Sequence, residues 1–306
     1  MSFSFRLRAR KVPTYAELRA LIDMPDVVCE EEQPEKFDCV HLFRPLVSTR
    51  SVELSWARSW LPFSKDMLEV RILVNACAED FALAMQIITR VATSLDVPIE
   101  CPEGEAMSIA ECRDRFGETW AAESIEATAN ALARVAAMDT MGEVTVPGPR
   151  RAFYVGPSVL KRLQASTPGF HDRLISCMRR LQWIDGWVDD SATEDEAKEA
   201  TDGCYAASKM LVGGSFVLSV WVPNKEILLT PVDYVTIQSD AHPDGLIIVP
   251  WSALPDLAGA LAEPLDEKHL LLKRASDAEW TALVEKALTI AVPSEKLKAQ
   301  MGSTRG

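Results

Sequence analysis

The sequence predicts an α+β fold in two halves, each a mainly antiparallel sheet packed with helices, from three observations. Short runs rich in β-branched and aromatic residues follow one another between turn signals. Longer runs carry apolar residues at helical spacing. A Pro/Gly segment, "EVTVPGPRR" at 143–151, separates two such sets. With 306 residues, 48% of them hydrophobic, the chain can bury a core of the size this requires.

The elements follow in order. "FSFRLRA" at 3–9 alternates with period two and predicts a strand, and Pro13 and Thr14 open a helix over "PTYAELRALID". Three further strands are expected in "FDCVHLFRPLVS", "SVELSWARSW" and "LEVRILVNAC". In "EDFALAMQIITRVATSLDVP", Phe81, Ala84, Met85, Ile88, Val91, Ala92 and Leu95 form one apolar stripe, and Pro98 lies just past the helix end. A second helix is expected in "GETWAAESIEATANALARVAAMD", where alanine is abundant and Ala121, Ile125, Thr128, Leu132 and Val135 share a side. The expected division is therefore an N-terminal half over 1–142, a linker over 143–151, a C-terminal half over 152–292 and a frayed tail over 293–306.

The second half opens with a short strand, "AFYVG", then a short helix, "PSVLKRLQ", with Pro157 in its first turn. A longer helix, "PGFHDRLISCMRRLQWI", is expected to bury Phe170, Leu174, Cys177, Met178 and Leu181. Beyond Gly213 and Gly214 come strands in "SFVLSVWV", "EILLTPVDYVTIQ" and "GLIIVPW", then helices around "ALPDLAGAL" and "DAEWTALVEKALTI". No repeat of fixed period is present.

Charge and composition narrow the function classes. The formal net charge is −13, and both parts share it: 16 basic against 24 acidic residues in 1–150, and 16 against 21 in 151–306. Such a surface repels nucleic acid and anionic lipid and attracts a basic protein, so no direct nucleic-acid binding is expected. Acidity also serves solubility by itself. No apolar run approaches the roughly 20 residues that cross a bilayer. "MSFSFRLRARKVP" lacks the apolar core of a secretory signal, which places the expected compartment in the cytoplasm. The seven cysteines are odd in number, scattered and without a C-x-x-C pair, so neither a disulfide framework nor a zinc site is expected.

Motifs that carry chemistry are scarce. Neither G-x-x-x-x-G-K-[ST] nor G-x-G-x-x-G occurs, and no G-x-S-x-G places a nucleophile on a sharp turn. His171-Asp172 has the form of a metal-dependent dyad but lacks the companion histidines and aspartates, and His242 in "DAHPDG" reads as a turn residue. The sequence therefore predicts no catalytic residues, no metal site and no cofactor.

One stretch does stand out. "WIDGWVDDSATEDEAKEATDG", residues 183–203, sets eight carboxylates around one lysine, Lys198. As a calcium loop it fails, with Trp187 at the third position and Asp190 where the turn glycine belongs. Aromatics favour interface centres and carboxylates steer a basic partner, so Trp183, Asp185, Trp187, Asp189, Asp190, Glu194, Asp195 and Glu196 are the expected partner-binding residues. The competing readings are a solvated loop beside the end of a buried helix, and a metal-dependent hydrolase or nuclease using Asp185, Asp189, Glu196 and Lys198.

"RAFYVGPSVLKRLQ" at the start of the second half and "GLIIVPWSALPDLAG" near its end carry a resemblance. In these stretches and in its acidic α+β layout, the chain resembles the immunity proteins of bacterial polymorphic toxin systems, and is similar to the immunity protein 52 family. That resemblance, which lies chiefly in 151–275, implies a non-enzymatic inhibitor. Its implied partner is a cognate toxin with a restriction-endonuclease-like nuclease domain, delivered by a bacterial secretion system such as type VI. It brings no catalytic motif. A homodimer is compatible with the sequence, and the charge agrees with such a partner, because a nuclease cleft that holds a polyanion is itself basic.

Overall fold

A computed structural model of the chain describes residues 2–10, 13–31, 39–57, 65–138, 142–164, 169–186, 204–212, 216–239, 245–293, 295 and 297. The fold is α+β with mostly antiparallel sheets, and it divides into two compact units, Met1–Trp183 and Ile184–Gly306.

The first unit contains β1 (Ser2–Ala9), α1 (Tyr15–Ile22), β2 (Val28–Glu31), β3 (Cys39–Phe43), β4 (Val52–Ala57), β5 (Asp66–Leu73) and α2 (Ala78–Leu95). It continues through β6 (Ile99–Glu100), β7 (Ala106–Met107), α3 (Ile109–Arg115), α4 (Glu118–Ala136), β8 (Val144–Val146), β9 (Phe153–Val155), α5 (Pro157–Gln164) and α6 (Phe170–Trp183). Seven strands form one antiparallel sheet in the order β2-β3-β4-β5-β1-β6-β7. Alternation decides its faces. Phe5, Leu7, Leu54, Leu68, Val70 and Ile72 are fully buried and meet α1, α2, α3 and α4 in one core.

Arg6, Glu53, Glu69, Arg71 and Glu100 occupy the alternate positions of their strands. There they form ion pairs across strands, Arg6 with Glu69 (3.3 Å) and Glu100 (3.5 Å) and Arg71 with Glu53 (3.2 Å), and one within β5, Arg71 with Glu69 (3.4 Å). Trp120 of α4 seals the other face, packing edge-on against Phe3, Phe5, Phe81 and Phe116.

Helix ends are set locally. Thr14 and Glu17 cap α1 reciprocally, and Ser108 and Glu111 do the same for α3. The chain leaves α2 through Asp96 at φ +50°, whose N–H reaches the carbonyls of Ala92 and Thr93.

The segment expected to be a linker, 143–151, is part of this unit. Its residues Val144–Val146 form β8, pair antiparallel with β9, and run into a turn plugged by Gln182, described below. The division between compact units falls instead after Trp183. The physical reason is that α5 and α6 pack with α4 and β9, contacts between elements distant in sequence that override the local Pro/Gly signal.

The second unit contains β10 (Cys204–Ala206), β11 (Met210–Val212), β12 (Phe216–Trp221), β13 (Glu226–Leu229), β14 (Tyr234–Gln238) and β15 (Leu246–Pro250). A single 3-10 turn (Trp251–Ala253) leads to α7 (Leu254–Ala258), a second (Gly259–Leu261) to β16 (Ala262–Pro264) and β17 (Leu270–Leu272), and α8 (Asp277–Ile290) follows. Two four-stranded sheets form, β10-β13-β17-β16 and β11-β12-β14-β15, each with one parallel pair. Trp221, Leu229, Val235, Ile247, Leu272 and Leu283 share one core between these sheets, α7 and α8. Trp221 meets Trp280 edge-on, 5.3 Å between ring centroids. No helix among the described residues is long and apolar enough to cross a membrane.

Candidate functional site

A cavity of about 910 Å³ opens in the first unit between α2, α4 and α6. Each helix gives it the same pattern of four residues over two turns. From α2 come Ala78, Phe81, Ala82 and Met85, and from α4 Glu118, Ala121, Ala122 and Ile125. From α6 come Asp172, Ile175, Ser176 and Arg179. This i, i+3, i+4, i+7 spacing is the contact row one helix offers another. Ala82, Ala122 and Ser176 are small and exposed, which keeps the slot wide, while Phe81, Ile125, Met85 and Ile175 make its apolar floor.

Charged groups rim the slot. Arg179 donates from its guanidinium to Glu79 (2.8 Å) and from Nε to the Val47 carbonyl (2.8 Å), tying α6 to the start of α2. Burial opposes ionisation of Glu79, but its own amide, Cys77 and Arg179 outweigh that and hold the carboxyl below its usual range. Asp172 touches the ring of its neighbour His171 (3.3 Å). Glu118 and Arg113, at the facing ends of α4 and α3, make no hydrogen bond or ion pair among the described residues. Glu79, Glu118 and Asp172 each sit in the first turn of a helix, where a carboxylate complements the exposed amides.

A buried polar knot holds the α2 wall in place. Asp80 is fully buried, and its Oδ2 accepts from the backbone N–H groups of Thr49 (3.1 Å), Arg50 (3.0 Å) and Cys77 (3.0 Å) and from the Thr49 hydroxyl (3.0 Å). The carboxylate thereby staples the 48–50 segment to the helix start. Burial nevertheless raises its pKa, against the pull of these donors. Arg50 is buried as well, donates to the Val74 carbonyl (2.8 Å), and is pushed down to about 10 by desolvation, with Asp80 opposing. The Cys77 thiol beside the slot is pushed up to about 12 by burial and by Asp80, so it remains a thiol at neutral pH.

The sequence singled out a different region. Trp183 is 7% exposed and belongs to the first unit's packing: its Nε1 donates to the Ser48 carbonyl (2.7 Å), its ring lies 5.9 Å from Phe43, and Arg150 stacks over it at 5.7 Å. It offers a partner little surface. The buried Gln182 beside it accepts from the N–H groups of Arg150 and Arg151 (both 2.9 Å) and donates to the Arg151 carbonyl (2.7 Å). Gly148 must be glycine here, because a Cβ would run into the Gln182 amide and the Arg151 carbonyl. Asp185 is half-buried at the start of the second unit and has a polar partner. Trp187, Asp189, Asp190, Glu194, Asp195 and Glu196 lie outside the described residues, as do Lys198, His242 and the glycine pair 213–214.

Of the remaining titratable groups, His269 and Asp266 form a buried pair in the second unit (2.8 Å), with the Asp266 carboxylate also accepting from the N–H groups of Lys268 and His269. That arrangement shapes the turn between β16 and β17. All seven cysteines are free, and the buried Cys112 thiol is pushed up to about 11 by desolvation. Among the described residues no group of three His, Cys, Asp or Glu side chains is placed to hold a metal ion. The slot was not visible in the sequence as a site, although each of its three rows is a readable helical pattern, because only tertiary packing brings the rows together. No family model, no curated protein and no solved structure matches the chain.

Proposed function

We propose that the chain is a non-enzymatic, cytoplasmic immunity protein that binds and inhibits a cognate nuclease toxin, a DNase delivered by a bacterial secretion system. One observation carries the reading: the concentration of negative charge, −13 overall, with eight carboxylates and one lysine in 183–203. A nuclease domain must hold a polyanion and therefore presents a basic cleft, for which an acidic protein is the electrostatic complement. The resemblance of the 151–164 and 245–259 stretches to immunity protein 52 points the same way. Further support comes from the polar chemistry in the first unit: Asp80, Arg50 and Gln182 are spent on backbone groups of the fold.

Charge contributes encounter rate and discrimination, whereas lifetime comes from a few desolvated anchors. Co-expression with the product of the adjacent upstream gene tests the reading. The expected result is survival of the cells and a complex that co-purifies and weakens as salt rises. Absence of a complex, with growth indifferent to either gene, would overturn it.

A further inference from the structure

We infer that the slot between α2, α4 and α6 is the docking groove for an amphipathic helix with basic flanks, supplied by the protein partner. This rests on the inhibitor reading for the identity of that partner, but the geometry argues for a helix independently. Three helices each present an i, i+3, i+4, i+7 row to a common space, the arrangement that surrounds one helix of a four-helix bundle. The space, about 910 Å³, is on the scale of a short helical segment rather than of a single side chain.

The chemistry of floor and walls specifies the occupant. Met85 and Ile175, both half-buried, would receive an apolar row above the buried Phe81 and Ile125, while Ala82, Ala122 and Ser176 let its backbone approach closely. Arg179 and Glu79 satisfy each other, which leaves the carboxylates of Glu118 on one wall and of Asp172, beside His171, on another, and at the mouth Arg113, which makes no ion pair among the described residues. On a chain of net charge −13, those two carboxylates favour lysine or arginine beside the occupant's apolar row.

The probe is a labelled synthetic peptide of leucine and lysine, about 14 residues long, with leucine at the helical row positions. Fluorescence anisotropy reads its binding to the full chain, alongside a leucine–glutamate counterpart and a permuted leucine–lysine peptide without the row. Ala82→Trp and Ala122→Trp fill the slot from exposed wall positions, so both variants are expected to melt within about 2 °C of the native chain. Expected is saturable binding of the leucine–lysine peptide, weakened about tenfold or more by either tryptophan, with the other two peptides binding more weakly.

Equal binding to folded tryptophan variants, or equal binding of the permuted peptide, would overturn the inference, the second outcome reducing it to charge alone. Preferential binding of the glutamate peptide would also overturn it. The two proposals fail separately. An Ala122→Trp chain that protects toxin-expressing cells as well as the native chain removes the slot alone. No protection by the native chain removes the inhibitor reading and leaves the peptide titration to stand.

Discussion

Replacing Asp80 by alanine is expected to destabilise the first unit by about 3–5 kcal/mol, the range measured when one member of a buried charged network is removed. The figure follows from what the carboxylate holds. Three backbone N–H groups, those of Thr49, Arg50 and Cys77, would lose their acceptor in a dry interior, and each such loss costs about 1–3 kcal/mol before relaxation. Arg50 would lose the negative charge that offsets its burial. A domain's stability of about 5–15 kcal/mol leaves little after such a change.

Asp80→Asn keeps an acceptor but sets a buried amide where Oδ1 has no partner, so its cost is smaller but still measurable. The sign of the pH dependence is also fixed. Because the folded-state pKa of Asp80 is raised, its contribution is fully present below the ordinary carboxylate value and is lost as pH rises through the raised one. The asparagine variant should lose that component of the pH profile. Urea titration followed by tryptophan fluorescence and far-UV circular dichroism, run between pH 4 and 8, measures both effects. A midpoint shift in Asp80→Ala equivalent to less than about 1 kcal/mol would refute the claim that this carboxylate staples 48–50 to α2.

Four further outcomes are expected. Gly148→Ala should lower the melting temperature by several degrees, because its methyl displaces the Gln182 amide from the 148–151 turn, and Gln182→Ala should not add to that loss in the double variant. In the native chain Cys77 and Cys112 should resist a thiol reagent at pH 8 and react on unfolding, as peptide mapping of the labelled cysteines would show. Reversing Asp189, Asp190, Glu194 and Glu196 to lysine should slow association with the toxin by about tenfold or more and flatten its salt dependence, whereas calcium, magnesium or manganese should leave the melting temperature of the native chain unchanged, since only a ligand of the folded state raises it.

Much of the fold was legible because local signals and tertiary packing agree. In the α2 stripe Phe81, Ala84, Ile88, Val91 and Ala92 are buried and Met85 and Leu95 partly so, and the alternation in β1 reappears as a buried face. The α3 helix was not predicted, although its signature is present: Ser108 followed three residues later by Glu111 is a capping box. The two-residue strands β6 and β7 and the three-residue β10, β11, β16 and β17 are too short for any alternation to register. The first arm and turn of the hairpin, 143–151, read as a linker because prolines and glycine mark a turn without saying what fills it, and the filler, Gln182, stands more than thirty residues away. The candidate site was illegible for a related reason. Each wall of the slot looks like part of an ordinary core helix, and it is a groove only because no fourth helix among the described residues fills it.

Gln182 and Trp183 also determine where a gene can be cut. Their side chains reach back to Arg150, Arg151 and Ser48, so the last two residues of α6 fasten both the β8–β9 turn and the loop before β4. An expression fragment ending at 142 would strip α4 of its α6 partner and open the apolar flank of Phe43 to water. One ending just after Trp183 takes every one of these bonds with it. An exchange of units by recombination would keep these bonds only with its breakpoint after Trp183, where the two compact units divide.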